Sequence, residues 1–369
     1  MGSSDPLLIY GATGYTGRLL ARAAKSRGLR PVLCGRDEVR LAPFATDLGL
    51  EYRVARLDAR LEEALRGIRV VLHAAGPFSS TCSPMVSACL RAGVHYLDLS
   101  GEVAAMEGVR QSDAQARERH VMLMPGVGFD VVPSDCLALH VARRGRGARR
   151  LAIGISGLEG ISRGSFRTVA EGVGQTVSIR RRGELRGIPP GTLVRAFDYG
   201  QGPRPSIAVS WGDVCTAYYS TGIPDITVFC EAIPSFQMML MANRCFGGML
   251  ATEAGHVWLE ALARVMPQGP TEAQRAAGHG IIVAEAEDER GHCFQSRLRT
   301  PEVYTFTCTT GLAIVERVLA GDLEVGFQTP ARVYGPDFIL AFEGVSLEDL
   351  SAPEVSVNGH TWAAGPAGN

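Results

Sequence analysis

Three glycines, Gly11, Gly14 and Gly17, stand at three-residue intervals in "LLIYGATGYTGRLLARAA" (residues 7–24), between an apolar run and a run with helical spacing. Glycine lets a chain turn tightly and approach another group closely. A helix that opens directly after such a turn offers free N–H groups and a partial positive charge to a phosphate. Gly11, Thr13, Gly14, Tyr15, Thr16 and Gly17 are therefore candidates to hold the pyrophosphate of a dinucleotide, the competing reading being a plain strand-to-helix turn. The next apolar run ends in "VLCGRD", where a carboxylate would take ribose hydroxyls. Arg36 stands there instead, and its fork suits a 2′-phosphate, so the expected cofactor is NADP, with Asp37 still able to take a ribose hydroxyl.

Hydride transfer that creates a new C–H bond needs a proton donor as well. Lys25 is the only lysine, which removes Schiff-base chemistry and a Tyr-x-x-x-Lys centre. Asp130 in "PGVGFDVVPSD" is the first candidate, against a reading in which it caps a helix beginning near Val131 while Ser134 and Asp135 serve the first turn. Tyr218, beside Tyr219 in "WGDVCTAYYSTGIPD", is the second, as a phenol donor or as core packing. Glu102 in "LDLSGE" is either a site acid or a helix N-terminal carboxylate. Gly76, Pro77 and Phe78, after "HAA", are placed to flank the nicotinamide ribose. His73 and His95 read as structural, and Cys34 and Cys82 as packing. Two arginine clusters, "ARRGRGARR" and "SIRRRGELR", are either solvated surface or a dock for coenzyme A phosphates or an acidic carrier.

The elements that must position these residues alternate in residues 7–125. "LLIYG", "PVLCG", "EYRVARL", "RVVLHAAG", "VHYLDLSG" and "HVMLMPG" read as strands with helical segments between them. This is the pattern of an α/β fold with a doubly wound parallel sheet, whose carboxyl edge collects the candidates. After "PSDCLALHVARRGRGARR" the rhythm changes to β-like stretches ("LAIGISG", "SIAVSWGD", "ITVFCEAI", "GIIVAEAED") and longer helices expected over 166–182 and 237–265. A helix over 304–320 then leads to "GFQTPARVYGPDFILAF", expected to return to the first domain. The division is 1–130 dinucleotide-binding, 131–310 substrate and dimerisation, and 311–369 returning segment, with a loosely held tail. The methionine-rich stretch 236–249 is expected to line or cover an apolar pocket.

Composition bounds the partners. The chain of 369 residues has 46% hydrophobic content and a net charge of -1, so no global field draws it to nucleic acid or anionic membrane. Nine cysteines without C-x-x-C pairs fit reduced thiols in a cytoplasmic protein, and no zinc-ligand spacing appears. The N-terminus shows no export signal, and no run reaches the about 20 apolar residues of a membrane span.

Taken as a set, "GATGYTG", "GR" after the second strand, "AAGPF", "ACLRAGVHYLDLSGE", "GVGFDVVPSD", "SRGSFRTVAEG" and "TPEVYTFTCTTG" resemble the saccharopine-dehydrogenase-like oxidoreductases, in particular the branch of trans-acting enoyl reductases. The resemblance implies a Rossmann nicotinamide domain completed by the C-terminal segment, with an inserted mixed α/β domain for substrate and dimerisation, hence a homodimer. It implies an NADPH-dependent reductase of a conjugated C=C or a C=N bond in a fairly apolar substrate, a small molecule or a carrier-bound acyl group. The rivals are an amino-acid or imine dehydrogenase of saccharopine-reductase type and a non-catalytic NADP-binding scaffold.

Overall fold

The computed structural model describes residues 6–58, 60–158, 160, 162–234, 236–238, 241, 248–249 and 252–350. The expected tail and much of the stretch 236–249 lie outside them. The first half runs β1 (Leu7–Tyr10), α1 (Tyr15–Ser26), β2 (Val32–Gly35), α2 (Glu38–Leu48), β3 (Tyr52–Val54), α3 (Leu61–Ala64), β4 (Val70–His73), α4 (Phe78–Ala92), β5 (His95–Asp98), α5 (Val103–Arg110), α6 (Asp113–Glu118) and β6 (Met122–Met124). Strands β1, β2 and β4 are buried along their whole length, as a parallel sheet covered on both faces requires.

All pairings in this sheet are parallel, in the order β15-β6-β5-β4-β1-β2-β3, where β15 is Gly326–Phe327 from near the C-terminus. The chain steps outward from β1 to β3 and then restarts on the other side of β1 at β4. The loops after β1 and β4 therefore diverge, and their crevice is where an open α/β sheet binds its ligand.

From α7 (Val132–Arg144) the chain builds a second, mixed sheet. Its elements are β7 (Arg150–Ser156), α8 (Arg163–Glu171), β8 (Val177–Arg181), β9 (Glu184–Ile188), β10 (Val194–Asp198), β11 (Pro203–Val209), α9 (Asp213–Thr221), β12 (Asp225–Glu231), β13 (His279–Glu287), β14 (Cys293–Pro301) and β16 (Ser346–Leu350). The main path is β10-β11-β12-β7-β13-β14-β16, with the β8–β9 hairpin attached to β12. Leu151, Ile153, Ile155, Ile282, Ala284 and Leu298 face the same core as α7, so the two sheets share one hydrophobic interior.

The helix expected over 166–182 ends at Glu171. Gly172 and Gly174, the latter with φ of +80°, break it, and the alternation of Val177 and Ile179 with polar residues turns the remainder of that span into β8. The later helices Glu253–Val265 and Val303–Leu319 match the helical periodicity of their segments. Strands β9, β10, β14 and β16 have weak local signals, being half polar or at an edge.

Candidate functional site

The glycine loop is built for close approach. Gly11 sits at φ of +83°, and a Cβ there would meet Ala75 Cβ at 2.8 Å, so the loop after β1 lies directly on the loop after β4. A Cβ on Gly17 would come within 2.2 Å of the Gly11 carbonyl oxygen, so α1 can start this close to the turn only with glycine there. Gly14 is the N-cap of α1, exposed, with no side chain capping the first turn and no acidic residue in it. Unspent amides and an unopposed helix dipole fit a pyrophosphate. Thr13 and Gly14 stand in the loop after β1, and Thr16 in the first turn of α1. Tyr15 differs: its phenol turns to the second sheet's segment, donating to the Pro270 carbonyl at 2.5 Å and accepting from Arg275 at 2.9 Å, with its ring over Gly269.

Arg36 follows β2, is exposed, and has no ion pair among the described residues. Asp37 is occupied as the N-cap of α2, accepting from the Arg40 amide at 3.3 Å. Its carboxylate is thereby committed to the helix.

On the other side of the crevice, Gly76 and Pro77 precede α4, whose first amides are taken by Glu102. Its two oxygens accept from the Phe78 and Ser79 amides at 2.9 and 2.7 Å, and Thr168 of α8 donates to one of them at 3.3 Å. Glu102 is thus an N-terminal carboxylate, but of α4 rather than of α5, which it precedes. Below it, buried Asp98 accepts from the Ser100 and Gly126 amides and from the Tyr96 hydroxyl, locking the loops at the sheet edge. His73 completes this buried layer, its Nδ1 3.1 Å from Tyr96 Oη and its pKa pushed down to about 3 by burial. His95 Nδ1 accepts from the Met122 amide. Both histidines are structural.

Asp130 lies against this loop, with its Oδ2 3.2 Å from where a Gly101 Cβ would stand. It does not cap α7: the N-cap is Val131 and no side chain caps that end. Its carbonyl accepts from Trp211 Nε1 at 2.6 Å, and its carboxyl has no hydrogen bond among the described residues. Burial, and then the neighbouring Glu102 charge, raise its pKa to about 7. A carboxyl that is part protonated at neutral pH and unspent can give a proton. Ser134 Oγ is shared between the Val131 carbonyl in the first turn of α7, at 3.1 Å, and Asp213 Oδ2, at 2.8 Å, whereas Asp135 accepts from the Ala331 amide at 2.8 Å and ties α7 to a neighbouring segment.

Tyr218 stands elsewhere. Arg180 lies 4.3 Å above its ring and Tyr219 packs edge-on, while no contact among the described residues joins it to Asp130. A tyrosine that sequence reasoning did not single out, Tyr304, stands nearer: its hydroxyl accepts from the Ser162 amide at 2.6 Å and pairs with Ser165 at 3.0 Å, its ring meets Tyr15 edge-on, and its ionisation is disfavoured by burial and, to a lesser extent, by the Asp130 charge. Only the motif "TPEVYTFTCTTG" hinted at it.

The arginine clusters are largely satisfied within the chain. Arg144, Arg149 and Arg150 pair with Asp349, Glu289 and Glu287, and Arg186 with Glu184. Arg180 is buried on Glu107. Within the first cluster, Arg144, Arg149 and Arg150 are thus paired at the surface of the chain. Of the stretch expected to line a pocket, Met238, Met241 and Met249 are exposed. No helix among the described residues is long and apolar enough to cross a membrane.

Comparisons with known proteins fit this geometry. A trans-acting enoyl reductase of Mycobacterium ulcerans is 33% identical over 148 residues, covering 37% of this chain and 35% of that protein. The Mycobacterium tuberculosis protein of that name is 32% identical over 148 residues, with the same coverage. The chain thus spans about a third of the length of these curated relatives. Among solved structures, saccharopine dehydrogenase (L-Glu forming) of Saccharomyces cerevisiae superposes with a TM-score of 0.63 at 10% identity, over 94% of this chain and 99% of that one, a likeness of fold. Residues 7–124, which take in the glycine loop and strands β1 to β6, match the profile of the saccharopine dehydrogenase NADP binding domain.

Proposed function

We propose that the protein is an NADPH-dependent reductase that adds hydride to a conjugated C=C, or to a C=N bond, of a fairly apolar substrate, with Asp130 as the proton donor. The observation that carries this reading is the unpaired, half-buried Asp130 carboxyl, raised to about 7, at the same sheet edge as the open N-terminus of α1. Bound NADPH would supply the hydride, its pyrophosphate on the amides of α1 and its 2′-phosphate toward Arg36. Gly76, Pro77 and Phe78 would flank the nicotinamide ribose. For an enoyl substrate, hydride goes to the β-carbon and the Asp130 proton to the α-carbon. Asp130 is left as carboxylate and regains a proton from water.

The relatives named enoyl reductases favour the C=C form, with an acyl substrate free or carrier-bound and the second domain contributing substrate contacts and a homodimer interface. Eight unpaired cysteines among the described residues support a reducing, cytosolic setting.

The test is NADPH oxidation with an α,β-unsaturated acyl thioester or a cyclic imine, and NADP+ reduction with saccharopine, an amine that can only give hydride, by wild type and Asp130→Asn. Oxidation by the thioester alone, cut about 100-fold or more in Asp130→Asn with the melting temperature held, is the expected result. NADPH oxidation driven by the imine selects the C=N form, and NADP+ reduction by saccharopine the rival dehydrogenase. Full activity in Asp130→Asn removes Asp130 from the chemistry, and no oxidation with any acceptor, in a protein that binds NADPH, favours a scaffold.

A further inference from the structure

Three arginines, Arg18, Arg22 and Arg40, gather beside the glycine loop, and neither they nor Arg36 at the end of β2 have a carboxylate partner among the described residues. Two of them converge on one atom. Arg18 Nε donates to the Thr13 carbonyl at 3.2 Å, from the first turns of α1, and Arg40 Nη2 donates to the same oxygen at 3.3 Å, from α2. Arg18 is also fixed from below, its guanidinium 4.5 Å from the Phe44 ring centre. Each spends one N–H on the loop and keeps the rest of its fork unspent.

Like charges crowded in this way repel. The Arg18 pKa is lowered by desolvation first and then by the Arg40 and Arg22 charges. An arrangement that holds cations together against repulsion, without an internal anion, is complete when an anion binds. The Thr13 carbonyl fixes where that anion sits: beside the loop, next to the end of β2, because the Gly11 and Ala12 amides bond to the Cys34 carbonyl at 2.9 and 3.1 Å. Arg36 leaves β2 two residues after Cys34. Asp37, the carboxylate next to Arg36, is turned to the Arg40 amide of α2.

We propose that Arg18 and Arg40 form the second arm of a clamp that, with Arg36, holds the 2′-phosphate of the cofactor, so that the preference for NADP over NAD is set by three arginines instead of one. The inference rests on the NADP reading of the site. It assigns no part of the chemistry to these residues, so their effect is confined to binding.

The test uses adenosine fragments and needs no turnover. The full chain is titrated calorimetrically with 2′,5′-ADP and with 5′-AMP, in wild type and in Arg18→Ala, Arg36→Ala and Arg40→Ala. Arg22→Ala serves as a neighbour that carries charge and touches Phe44 at 5.7 Å but does not reach Thr13. Arg40 is exposed, so its variant tests the clamp even if Arg18→Ala fails to fold. Wild type should prefer 2′,5′-ADP, and Arg40→Ala and Arg18→Ala should each lose about 10-fold in affinity for it while 5′-AMP changes less than about 2-fold. Arg22→Ala should stay within that smaller range for both ligands. If only Arg36→Ala abolishes the preference, the clamp is overturned and the NADP reading stands. If Arg40→Ala weakens both ligands equally, the arginine holds the loop and not the phosphate. A wild type that binds the two ligands alike overturns the NADP reading, and the clamp with it.

Discussion

Glu102 and Asp130 are two carboxyls in one cleft with opposite surroundings, and that contrast divides their roles. Glu102 spends its charge on two helix amides, while Asp130 has nothing to spend it on and is pushed toward neutrality. Replacing Glu102 by alanine leaves the α4 amides uncapped and removes the charge that keeps the Asp130 proton on. The expected cost is about 1–2 kcal/mol in urea unfolding. Any pH profile that depends on protonated Asp130 should also shift toward lower pH, because less charge opposes its ionisation. A lost cap without that shift would show that burial alone sets Asp130. Asp130 and the glycines were legible because each belongs to a compact motif after a strand. The partner of Glu102 was not, since Phe78 is 24 residues away and only the folded sheet edge brings them together. The Tyr304–Ser162 contact spans 142 residues and leaves no local trace.

At the scale of elements, Arg180 ties β8 to α5 and α9. Only 4% of its side chain is exposed; it pairs with Glu107, donates to the Val214 and Gly183 carbonyls at 2.8 Å, and stacks on Tyr218. Burial alone would raise Glu107, yet Arg110 and Arg180 hold it below the ordinary carboxylate range. Arg180→Ala therefore breaks a buried pair and leaves carbonyls unmet. A loss of about 3–5 kcal/mol is expected, toward the lower end because Glu107 keeps Arg110. Equilibrium unfolding should show it as a lower midpoint with an unchanged slope. This region is also where sequence periodicity misled. "SIRRRGELR" suggested a helix running to 182 and then a charged surface. The structure makes β8 and β9 of it, with the first of its arginines, Arg180, inside. Long arginine stems satisfy burial and charge together, so polarity there was a poor guide to exposure.

At the scale of the whole molecule, two interior carboxyls give stability a pH dependence of unusual sign. Asp130 and Asp135 have pKa values raised to about 7 and about 6. In the unfolded chain both titrate near about 3.9. At these two sites the folded state thus holds more protons between those values, and their contribution to stability falls as pH rises from about 4 to 7 before levelling, while His73, held neutral by burial, contributes in the opposite sense. Denaturant midpoints should therefore fall more, or rise less, between about pH 4 and 7 in wild type than in Asp135→Asn. Equal slopes in the two proteins would contradict a protonated interior at Asp135. The α/β class and the doubly wound sheet were legible because parallel strands are continuous apolar runs. The second sheet was read only in part, since its edge strands draw their stability from partners distant in sequence.

The last strands of the chain have a further consequence. Gly326–Phe327 lies on the outer edge of the first sheet beside β6, while Ser346–Leu350 borders β14 on the second. A ribosome making this protein from its N-terminus must therefore pass residue 327 before β6 is bordered by β15, and residue 350 before β14 is bordered by β16. Until then the early-made edge of β6 and the later edge of β14 are open to mispairing, and both are sealed within the same few seconds of synthesis.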